Sequence, residues 1–175
     1  ETSARRINDV YSKLAAITAS NTDEISGAMT KTASIASSAN MSFEKTSALL
    51  AHMIEVTREA PENLGTAMKT IIARFTEMKN SPTEIFKDAD GEEVNVNKVD
   101  AALRSVGVSL KDTEGNFRNL DDVFLELSKK WDSLDVMQQR YVATTAAGSR
   151  QQSRFIAMMQ DYDRTMNLGA AANGS

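Results

Sequence analysis

The chain has 175 residues, and its 20 lysines and arginines against 24 aspartates and glutamates give a net charge of −4. This balance argues against a strong, sequence-independent grip on nucleic acid, and no specific nucleic-acid sequence is implied. The absence of cysteine excludes disulfides and thiolate metal sites. No apolar run approaches the roughly 18 residues that span a bilayer, so we expect no membrane contact. The length suits one ordinary domain or two very small ones.

Two helices are predicted in the first forty residues. Apolar spacing predicts a helix from Arg5 to about Ala19. Asn21 or Thr22 can cap the second helix, because a side-chain oxygen there accepts an amide hydrogen of the first turn. Small residues dominate the second helix, and such a face lets helix axes approach toward the low end of the roughly 8–10 Å range. We therefore expect this helix to pack tightly on another.

Two more helices are predicted between Ser42 and Pro82. Ser42 can cap the third helix, and Pro61 suits the first turn of the fourth, where an amide hydrogen is not needed. His52 lies beside the apolar side of the third helix, and a lone histidine is more often packed than catalytic or metal-binding. The apolar members of the third helix are Phe43, Leu49, Leu50, Met53, Ile54 and Val56. Those of the fourth are Leu64, Met68, Ile71, Ile72, Phe75 and Met78.

The hydrophobic period changes after the fourth helix. An extended segment with an acid-Gly turn at 88–91 is predicted first, and a second extended segment follows at 108–117. The two segments either pair with each other or each lie on helices, since an isolated two-stranded pair is marginal in water. Between them, Asn97 can cap a helix that ends at Gly107, a residue suited to a left-handed position.

Three further helical segments complete the chain. Asn119 can cap the first, whose largest apolar member is Trp131. Asp135 and Gln138 resemble a capping pair for the next, which Gly148 terminates before the last helix begins. The apolar members of the three helices are, in order, Leu120, Val123, Phe124, Leu127 and Leu134; Met137, Tyr141, Val142 and Ala146; and Phe155, Ile156, Met159 and Tyr162.

These elements predict a mainly α fold, a compact multi-helix domain of about seven helices with one or two short β-hairpins. We divide it into N-terminal helical hairpins at 1–82, an acidic hairpin insert, short helix, hairpin and Trp-bearing helix at 83–134, and a C-terminal helix pair with a polar tail at 135–175. We expect these parts to form one domain. The chain begins at Glu1 without an initiator Met and both ends are small and polar, so we expect a piece of a longer protein.

No catalytic, cofactor-binding or metal-binding constellation is predicted. The acid-Gly strings at 88–91 and 112–115 are reminiscent of calcium loops. The first ligand of an EF-hand would fall on Phe86 or Leu110, neither of which can coordinate a cation, whereas tight turns commonly use acid-Gly pairs. Paired carboxylates of the glycosidase type are neither excluded nor supported. We therefore expect no metal, no cofactor and no enzymatic activity.

Two groups of side chains leave alternatives open. A basic cluster either pairs with nearby acids within the chain or meets an acidic partner. The cluster is Arg140, Arg150 and Arg154 with Lys129 and Lys130, and the nearby acids include Asp132, Asp135 and Asp161. Five methionines on apolar stripes either fill the core or line an adaptable groove, and a helical adaptor that binds a partner helix in this groove is the alternative function. They are Met53, Met68, Met78, Met137 and Met159.

Several strings occur in an order and spacing that together are specific. They are Ala-Asn-Met-Ser-Phe-Glu at 39–44, Val-Gly-Val-Ser-Leu at 106–110, Arg-Asn-Leu-Asp-Asp-Val at 118–123, Ala-Ala-Gly-Ser-Arg-Gln-Gln at 146–152 and Phe-Ile-Ala-Met-Met-Gln at 155–160. In this arrangement they resemble the core signature of phage tail tape-measure proteins, over roughly Thr22 to Tyr162. The acidic insert between Pro82 and Asn97 departs from the family pattern. The positions that we interpret as structural signature are Gly107, Gly115, Phe117, Leu120, Trp131, Gly148, Arg150 and Phe155.

The resemblance implies a structural virion protein of a phage or prophage. The chain would be the globular core of a long helical protein that lies in the tail lumen, sets tail length during assembly in the host cytoplasm, and leaves ahead of the DNA. The implied partners are the tail-tube protein, tail-assembly chaperones, tail-tip and distal tail proteins, and further copies of the chain. The resemblance transfers no catalytic residues to this region.

Overall fold

The computed structural model describes residues 4–81, 83–160, 162, 164 and 167. These residues form eight helices and one two-stranded antiparallel sheet, so the predicted mainly α fold is confirmed. In chain order the elements are α1 (Ala4–Ile17), α2 (Thr22–Ser38), α3 (Phe43–Thr57), α4 (Pro61–Asn80), β1 (Ile85–Lys87), β2 (Glu93–Asn95), α5 (Val96–Ser105), α6 (Leu120–Trp131), α7 (Val136–Ala147) and α8 (Gln152–Gln160). None of the described helices combines the length and the apolar character that crossing a bilayer requires.

Polar caps open three helices as the sequence predicts. Asn21 caps α2 by accepting the amide hydrogen of Glu24, whose carboxylate accepts the amide hydrogen of Asn21 in return. Ser42 caps α3, and Asp135 with Gln138 forms the same reciprocal arrangement at α7. These bonds satisfy amides that the first turn of a helix cannot pair internally.

Two predicted caps require correction. Asn95, and not Asn97, caps α5, because Asn95 has an extended backbone at the end of β2 and its side chain accepts the amide hydrogen of Lys98 at 3.1 Å. Val96 is consequently the first residue of α5. Asn119 does occupy the N-cap position of α6, but its side chain makes no capping hydrogen bond.

The described residues divide into two compact units. The first comprises those of 1–69 and 161–175, and the second comprises those of 70–160. The boundary falls within α4, between Lys69 and Thr70. The three-part division drawn from the sequence, and its grouping into one domain, stay a prediction.

In the first unit, helices approach closely where their residues are small. The Thr32 hydroxyl on α2 donates to the carbonyl oxygen of Gly65 on α4 at 3.1 Å, and a methyl group at Gly65 would overlap the carbonyl oxygen of Ala28. The rings of Tyr11 and Phe43 lie 5.6 Å apart. The tight packing predicted for α2 is therefore confirmed. The buried apolar residues of this unit include Val10, Leu14, Ile25, Leu49, Leu50, Ile54, Leu64 and Met68.

His52 is buried in the first unit. Its Nδ1 atom lies 3.4 Å from Nη1 of Arg164 and 3.8 Å from Oε2 of Glu55. Glu44, two turns earlier on α3, is also buried and forms an ion pair with Arg6. These contacts agree with the packed position predicted for the lone histidine.

In the second unit, the acidic segment after α4 forms a hairpin of its own. Phe86 in β1 lies opposite Val94 in β2, and Ile85 lies opposite Asn95. Val94 is fully buried, whereas the side chain of Ile85 is exposed, so the hairpin packs through one side only. Within the described residues, the two predicted extended segments do not pair with each other.

The second extended segment is a loop with one isolated β-bridge, between Lys111 and Phe117, so the second predicted hairpin is not formed. The turn itself is present, because Oδ1 of Asp112 accepts the amide hydrogens of Glu114 and Asn116, both at 2.9 Å. Pairing does not extend on the other side of the bridge because α6 begins at Leu120, three residues after Phe117.

Four aromatic rings form the centre of the second unit. The ring of Phe75 lies 5.2 Å from that of Phe124, which lies 5.9 Å from Phe155. Trp131 is fully buried, with its ring 6.1 Å from that of Phe155. All three contacts are edge to face, the geometry that aromatic quadrupoles favour.

Three members of the predicted apolar stripes are exposed. Val56 lies near the end of α3, and Met137 and Tyr141 project from α7 with exposed fractions of 79% and 55%. The reason in α7 is that the helix packs through its other face, where residues such as Val142 and Ala146 are buried.

The stripe of α6 differs from the prediction in one residue, and that of α8 differs in two. α6 ends at Trp131, so Leu134 lies beyond the helix. In α8 the buried residues are Phe155, Met158 and Met159, which follow the i, i+3, i+4 spacing of one helix face, whereas Ile156 is only partly buried.

Replacement of Trp131 by alanine should lower the free energy of unfolding by about 3–5 kcal/mol, because a fully buried indole is lost from the aromatic centre. Chemical denaturation followed by circular dichroism measures this change. Tyr141→Ala is the matched control, since that ring is exposed and its loss should change stability by about 0.5 kcal/mol or less. A loss below about 1 kcal/mol for Trp131→Ala would contradict the packing described.

Candidate functional site

The candidate site lies in the second unit, where the acidic hairpin (β1, β2 and the connecting residues 88–92) meets the Gly148 turn (residues 148–151). Asp88 shapes the hairpin connection. Its Oδ1 atom accepts the amide hydrogens of Asp90 and Glu92, both at 2.9 Å, and the backbone amide of Asp88 donates to the carbonyl oxygen of Glu92. The connection is therefore a preorganised loop that holds three carboxylates on one side.

Arg74 on α4 is the centre of the site. Its Nε donates to the carbonyl oxygen of Ala146 at 2.8 Å, and its Nη2 donates to that of Thr145 at 3.2 Å. Its Nη1 forms an ion pair and a hydrogen bond with Oδ2 of Asp88. Both charged side chains are almost completely buried. Arg74 thus satisfies the last carbonyl groups of α7 and fixes the acidic hairpin with one guanidinium group.

Gly148 ends α7 with φ 92° and ψ 157°, a conformation that is essentially restricted to glycine. The chain that follows presents two amide hydrogens and a hydroxyl group to Glu92. Oε1 of Glu92 accepts the amide hydrogen of Ser149 at 3.0 Å and the Ser149 hydroxyl, and Oε2 accepts the amide hydrogen of Arg150 at 3.1 Å. The Glu92 carboxylate therefore fills the Gly148 turn.

Asp90 contacts Gln151 and Arg150 of the Gly148 turn. Its Oδ2 atom accepts from the side-chain amide of Gln151 at 3.0 Å, and its Oδ1 atom lies 4.0 Å from Nε of Arg150. Gln151 is buried, and its side-chain oxygen accepts from Arg154 at 2.7 Å. Each acid of the hairpin connection consequently contacts a different group on α4 or on the Gly148 turn.

The electrostatic consequence is clearest at Glu92. The hydrogen bond from the Ser149 hydroxyl is the largest cause that lowers the pKa of Glu92 below its ordinary value of 4.5. Burial opposes this change, while the amides of Arg150 and Ser149 and the charge of Arg74 lower the pKa further. The folded chain therefore favours the ionised form of Glu92.

Asp88, Asp90 and Glu92 also place one carboxylate oxygen each within 4.8 Å of one another, an arrangement that could in principle surround a cation. Their oxygens already accept hydrogen bonds from Arg74, Ser149 and the backbone. Because the positive charge of Arg74 and the donated hydrogens supply the compensation that a metal would supply, we interpret the cluster as a cross-link between elements.

The structure brings only some of the signature positions to this site. Gly148 and Arg150 lie in the Gly148 turn, whereas Leu120, Trp131 and Phe155 are buried in the core of the second unit. The other three are in loops: Gly107 and Gly115 have positive φ angles, and Phe117 packs under the ammonium group of Lys111 at 5.1 Å.

Sequence reasoning missed Arg74, Asp88 and Glu92 as functional partners. One signal could have found Arg74: it lies three residues after Ile71 and four before Met78, on the apolar stripe of α4. A charged residue at a core position requires a buried counter-charge. The acidic segment that follows α4 is the nearest source of one.

The pairing predicted for the basic cluster is corrected. The acid that lies beside Arg150 is Asp90 of the hairpin, in place of the predicted Asp132 or Asp135. Asp135 accepts the amide hydrogen of Gln138 at 2.8 Å and is thereby engaged as a helix cap. The remaining predicted acid, at position 161, lies outside the described residues. Lys130, another member of the cluster, donates to the carbonyl oxygen of Gly107 at 2.5 Å.

The methionines separate into two classes. Four of the five predicted stripe methionines are buried, which confirms core filling for them and contradicts the groove that they would line together. The four are Met53, Met68, Met78 and Met159, and Met137 is the exposed one.

Comparison with family models matches residues 1–148 to the family described as phage-related minor tail protein. The matched range covers well over half of the chain and runs from α1 through α7 to Gly148, so it includes both Arg74 and the acidic hairpin. No solved structure matches the chain.

Gly148→Ala should lower the free energy of unfolding by about 1–3 kcal/mol more than Gly115→Ala, the range typical of overpacking. Both glycines have positive φ angles, so alanine is strained at either position. A Cβ atom at Gly148 would lie 3.0 Å from Oε2 of Glu92 and 3.1 Å from Nη1 of Arg74, whereas one at Gly115 meets nothing within 4 Å. Equal losses in denaturation measurements would show that the contact with the acidic hairpin does not constrain Gly148.

Glu92→Gln should lower the free energy of unfolding near neutral pH by about 1–3 kcal/mol, because a charge-assisted set of hydrogen bonds is weakened. Since folding lowers the pKa of Glu92, its stabilising contribution is present above the ordinary value of 4.5 and is lost as pH falls through the lowered value. The stability gap between wild type and variant should therefore close in acid.

Denaturation series from about pH 7 to about pH 3 test this dependence. Glu93→Gln is the matched control, because its exposed side chain lies on β2 next to Glu92 and should give no comparable gap. A gap for Glu92→Gln that stayed constant with pH would contradict the stabilisation of the ionised carboxylate.

Proposed function

The chain belongs to the phage-related minor tail protein family, and from this premise we propose that it is the structural core of a tail tape-measure protein. In this role it contributes to setting tail length, organises assembly of the tail tube, occupies the tail lumen and leaves ahead of the DNA. Its role is architectural, and it performs no catalysis.

The observation that carries the proposal is that the two main parts of the tape-measure-like signature pack on each other. The segment at 106–131 and the segment at 146–160 meet in the second unit, where the Trp131 ring contacts that of Phe155. The Ser128 hydroxyl on α6 also donates to the carbonyl oxygen of Met159 on α8 at 2.8 Å. Strings that resemble the tape-measure signature in order, and that also contact each other in space, support this proposal.

The parts that the signature residues play support an architectural role. Gly148 provides a backbone conformation that the Gly148 turn requires, and Trp131 and Phe155 fill the core. The acids of the hairpin accept hydrogen bonds within the fold, with Asp88 on Arg74 and Glu92 on the Gly148 turn. Carboxylates that accept hydrogen bonds within the fold hold its elements together.

Confinement in a tail adds a physical requirement. A protein that must pass through a narrow opening has to unfold, and covalent cross-links would oppose this. The sequence contains no cysteine, and the long-range links of the second unit are hydrogen bonds, ion pairs and apolar contacts. This chemistry supports release from the lumen during ejection.

The proposed partners follow from the location in the lumen. They are the tail-tube protein that surrounds the chain, the chaperones that keep it competent during assembly in the host cytoplasm, the tail-tip and distal tail proteins at which assembly begins, and further copies of the chain.

The test is a change of length in the reading frame that encodes this chain, made outside residues 1–175. Insertion of a helix-forming segment of about 30 residues should lengthen the tail by about 45 Å, because an α-helix rises about 1.5 Å per residue. Electron microscopy of purified virions measures the change, and deletion of an equal length should shorten the tail by the same amount. The same segment added to another virion protein is the control and should leave tail length unchanged.

Particles that have released their DNA supply a second readout. The chain should be present in full virions and depleted from emptied ones when both are compared by quantitative mass spectrometry. Infectious virions with an unaltered tail length would contradict the tape-measure role while leaving the family membership intact.

A further inference from the structure

α7 carries apolar side chains on two opposite faces. One face is buried in the second unit and includes Val142 and Ala146. The opposite face exposes Met137 and Tyr141, with exposed fractions of 79% and 55%, and Val136 is exposed at the first residue of the helix. These three account for half of the large exposed apolar residues among the described part of the chain. Such a concentration on one short helix is typical of a contact surface.

An open groove of about 450 Å³ lies beside this face, lined by residues of α7, of the Gly148 turn and of α8. Arg140 borders it from α7, and Ser153 and Ile156 border it from α8. Met137, Arg140 and Tyr141 follow the i, i+3, i+4 spacing and therefore share one side of α7. We name this surface, formed by the exposed side of α7 and the neighbouring side of α8, the α7–α8 groove.

The two walls of the α7–α8 groove are joined. The Thr144 hydroxyl on α7 donates to Oε1 of Gln152 at the start of α8 at 3.0 Å, and the Gln152 side chain also lines the groove. Packing of Phe155 against Trp131 fixes α8 to the core on its other side. The groove is consequently a preformed feature of the fold.

Among the described residues, the charge of Arg140 in the α7–α8 groove has no counter-charge. Arg140 makes neither an ion pair nor a hydrogen bond with any of them, and no carboxylate is among the described residues that line the groove. The nearest acid in sequence on this helix is Asp135, whose carboxylate caps α7. A cation beside exposed apolar side chains favours a partner that brings both apolar groups and a carboxylate.

We propose that the α7–α8 groove binds an amphipathic helix of another protein. Apolar side chains of that helix, spaced at i, i+3 or i+4 and i+7, contact Met137, Tyr141 and Ile156, and a carboxylate at the edge of its apolar face pairs with Arg140. A helix fits because the groove runs between two packed helices, the arrangement into which a third helix packs. The inference rests on the groove alone and is independent of the tape-measure role.

A second copy of the chain is the less favourable occupant. In a symmetric contact of the groove with itself, the same residues meet across a two-fold axis. Two Arg140 side chains would then approach each other without an acid between them, and like charges in an interface cost free energy. A symmetric contact with a second copy therefore leaves Arg140 without a carboxylate.

The test uses three synthetic, fluorescein-labelled helical peptides and the purified 175-residue chain. The first peptide has leucines at i, i+3, i+4 and i+7 flanked by glutamates, the second replaces the glutamates by lysines, and the third is a scrambled version of the first. Fluorescence anisotropy should give saturable binding of the acidic peptide, with affinity at least about tenfold weaker for the lysine and scrambled peptides.

Variants assign the binding to the groove. Arg140→Glu should lower the affinity for the acidic peptide at least about tenfold and raise the affinity for the lysine peptide. A misfolded variant would not exchange specificity in this way. Met137→Ser should weaken the binding of both the acidic peptide and the lysine peptide. Arg104→Glu is the matched control, because Arg104 is an exposed arginine of the same unit, on α5, and should leave binding unchanged. Circular dichroism verifies that each variant is folded.

Three outcomes would overturn the proposal. The first is the absence of saturable binding of the acidic peptide at any attainable concentration. The second is an equal loss from Arg104→Glu and Arg140→Glu, which would reduce the binding to general electrostatics. The third is concentration-dependent self-association in sedimentation experiments that Met137→Ser abolishes, which would assign the α7–α8 groove to a second copy.

Discussion

The second unit depends on the buried ion pair between Arg74 and Asp88. Burial of a single charge is costly, and a guanidinium group is tolerated in a core only when its donors are satisfied. Arg74 meets this condition by joining three elements: its own helix α4, the carboxyl end of α7 through two carbonyl oxygens, and the acidic hairpin through Asp88. Removal of any one element would leave a buried charge or buried carbonyl groups without partners, so the three are stable only together.

The geometry of the Gly148 turn follows from this constraint. Once Asp88 is fixed by Arg74, its other carboxylate oxygen holds the amide of Glu92, and the Glu92 side chain is directed onto Ser149 and Arg150. A Cβ atom at position 148 would lie 3.0 Å from Oε2 of Glu92, closer than ordinary contact, so glycine leaves room for that carboxylate. Gly148, which the sequence predicts to terminate a helix, is thus also the residue next to which the acidic hairpin binds.

Local features of this fold were predictable, and non-local ones were not. The α4 stripe and the capping pair of Asp135 with Gln138 depend on residues a few positions apart, and periodicity captures them. The pairing of Arg74 with Asp88 joins two separate elements, and no spacing rule predicts it. The two-faced α7 shows a further limit, because the period of its apolar residues does not tell which face packs inside. In the candidate site, Gly148 and Arg150 were recognised through a resemblance, whereas their acidic partners were interpreted as an insert.

The same architecture bears on the proposed passage through a tail. Helices α5, α6 and α7 of the second unit have 10, 12 and 12 residues, and isolated helices of about this length are marginal in water. Their stability therefore comes from tertiary contacts, foremost the aromatic centre and the Arg74 cross-link. When an applied force opens these contacts, the helices lose their support, and no disulfide cross-link opposes their separation. The stability of these short helices is thus tied to tertiary contacts, and those contacts are the ones that passage through a tail would have to open.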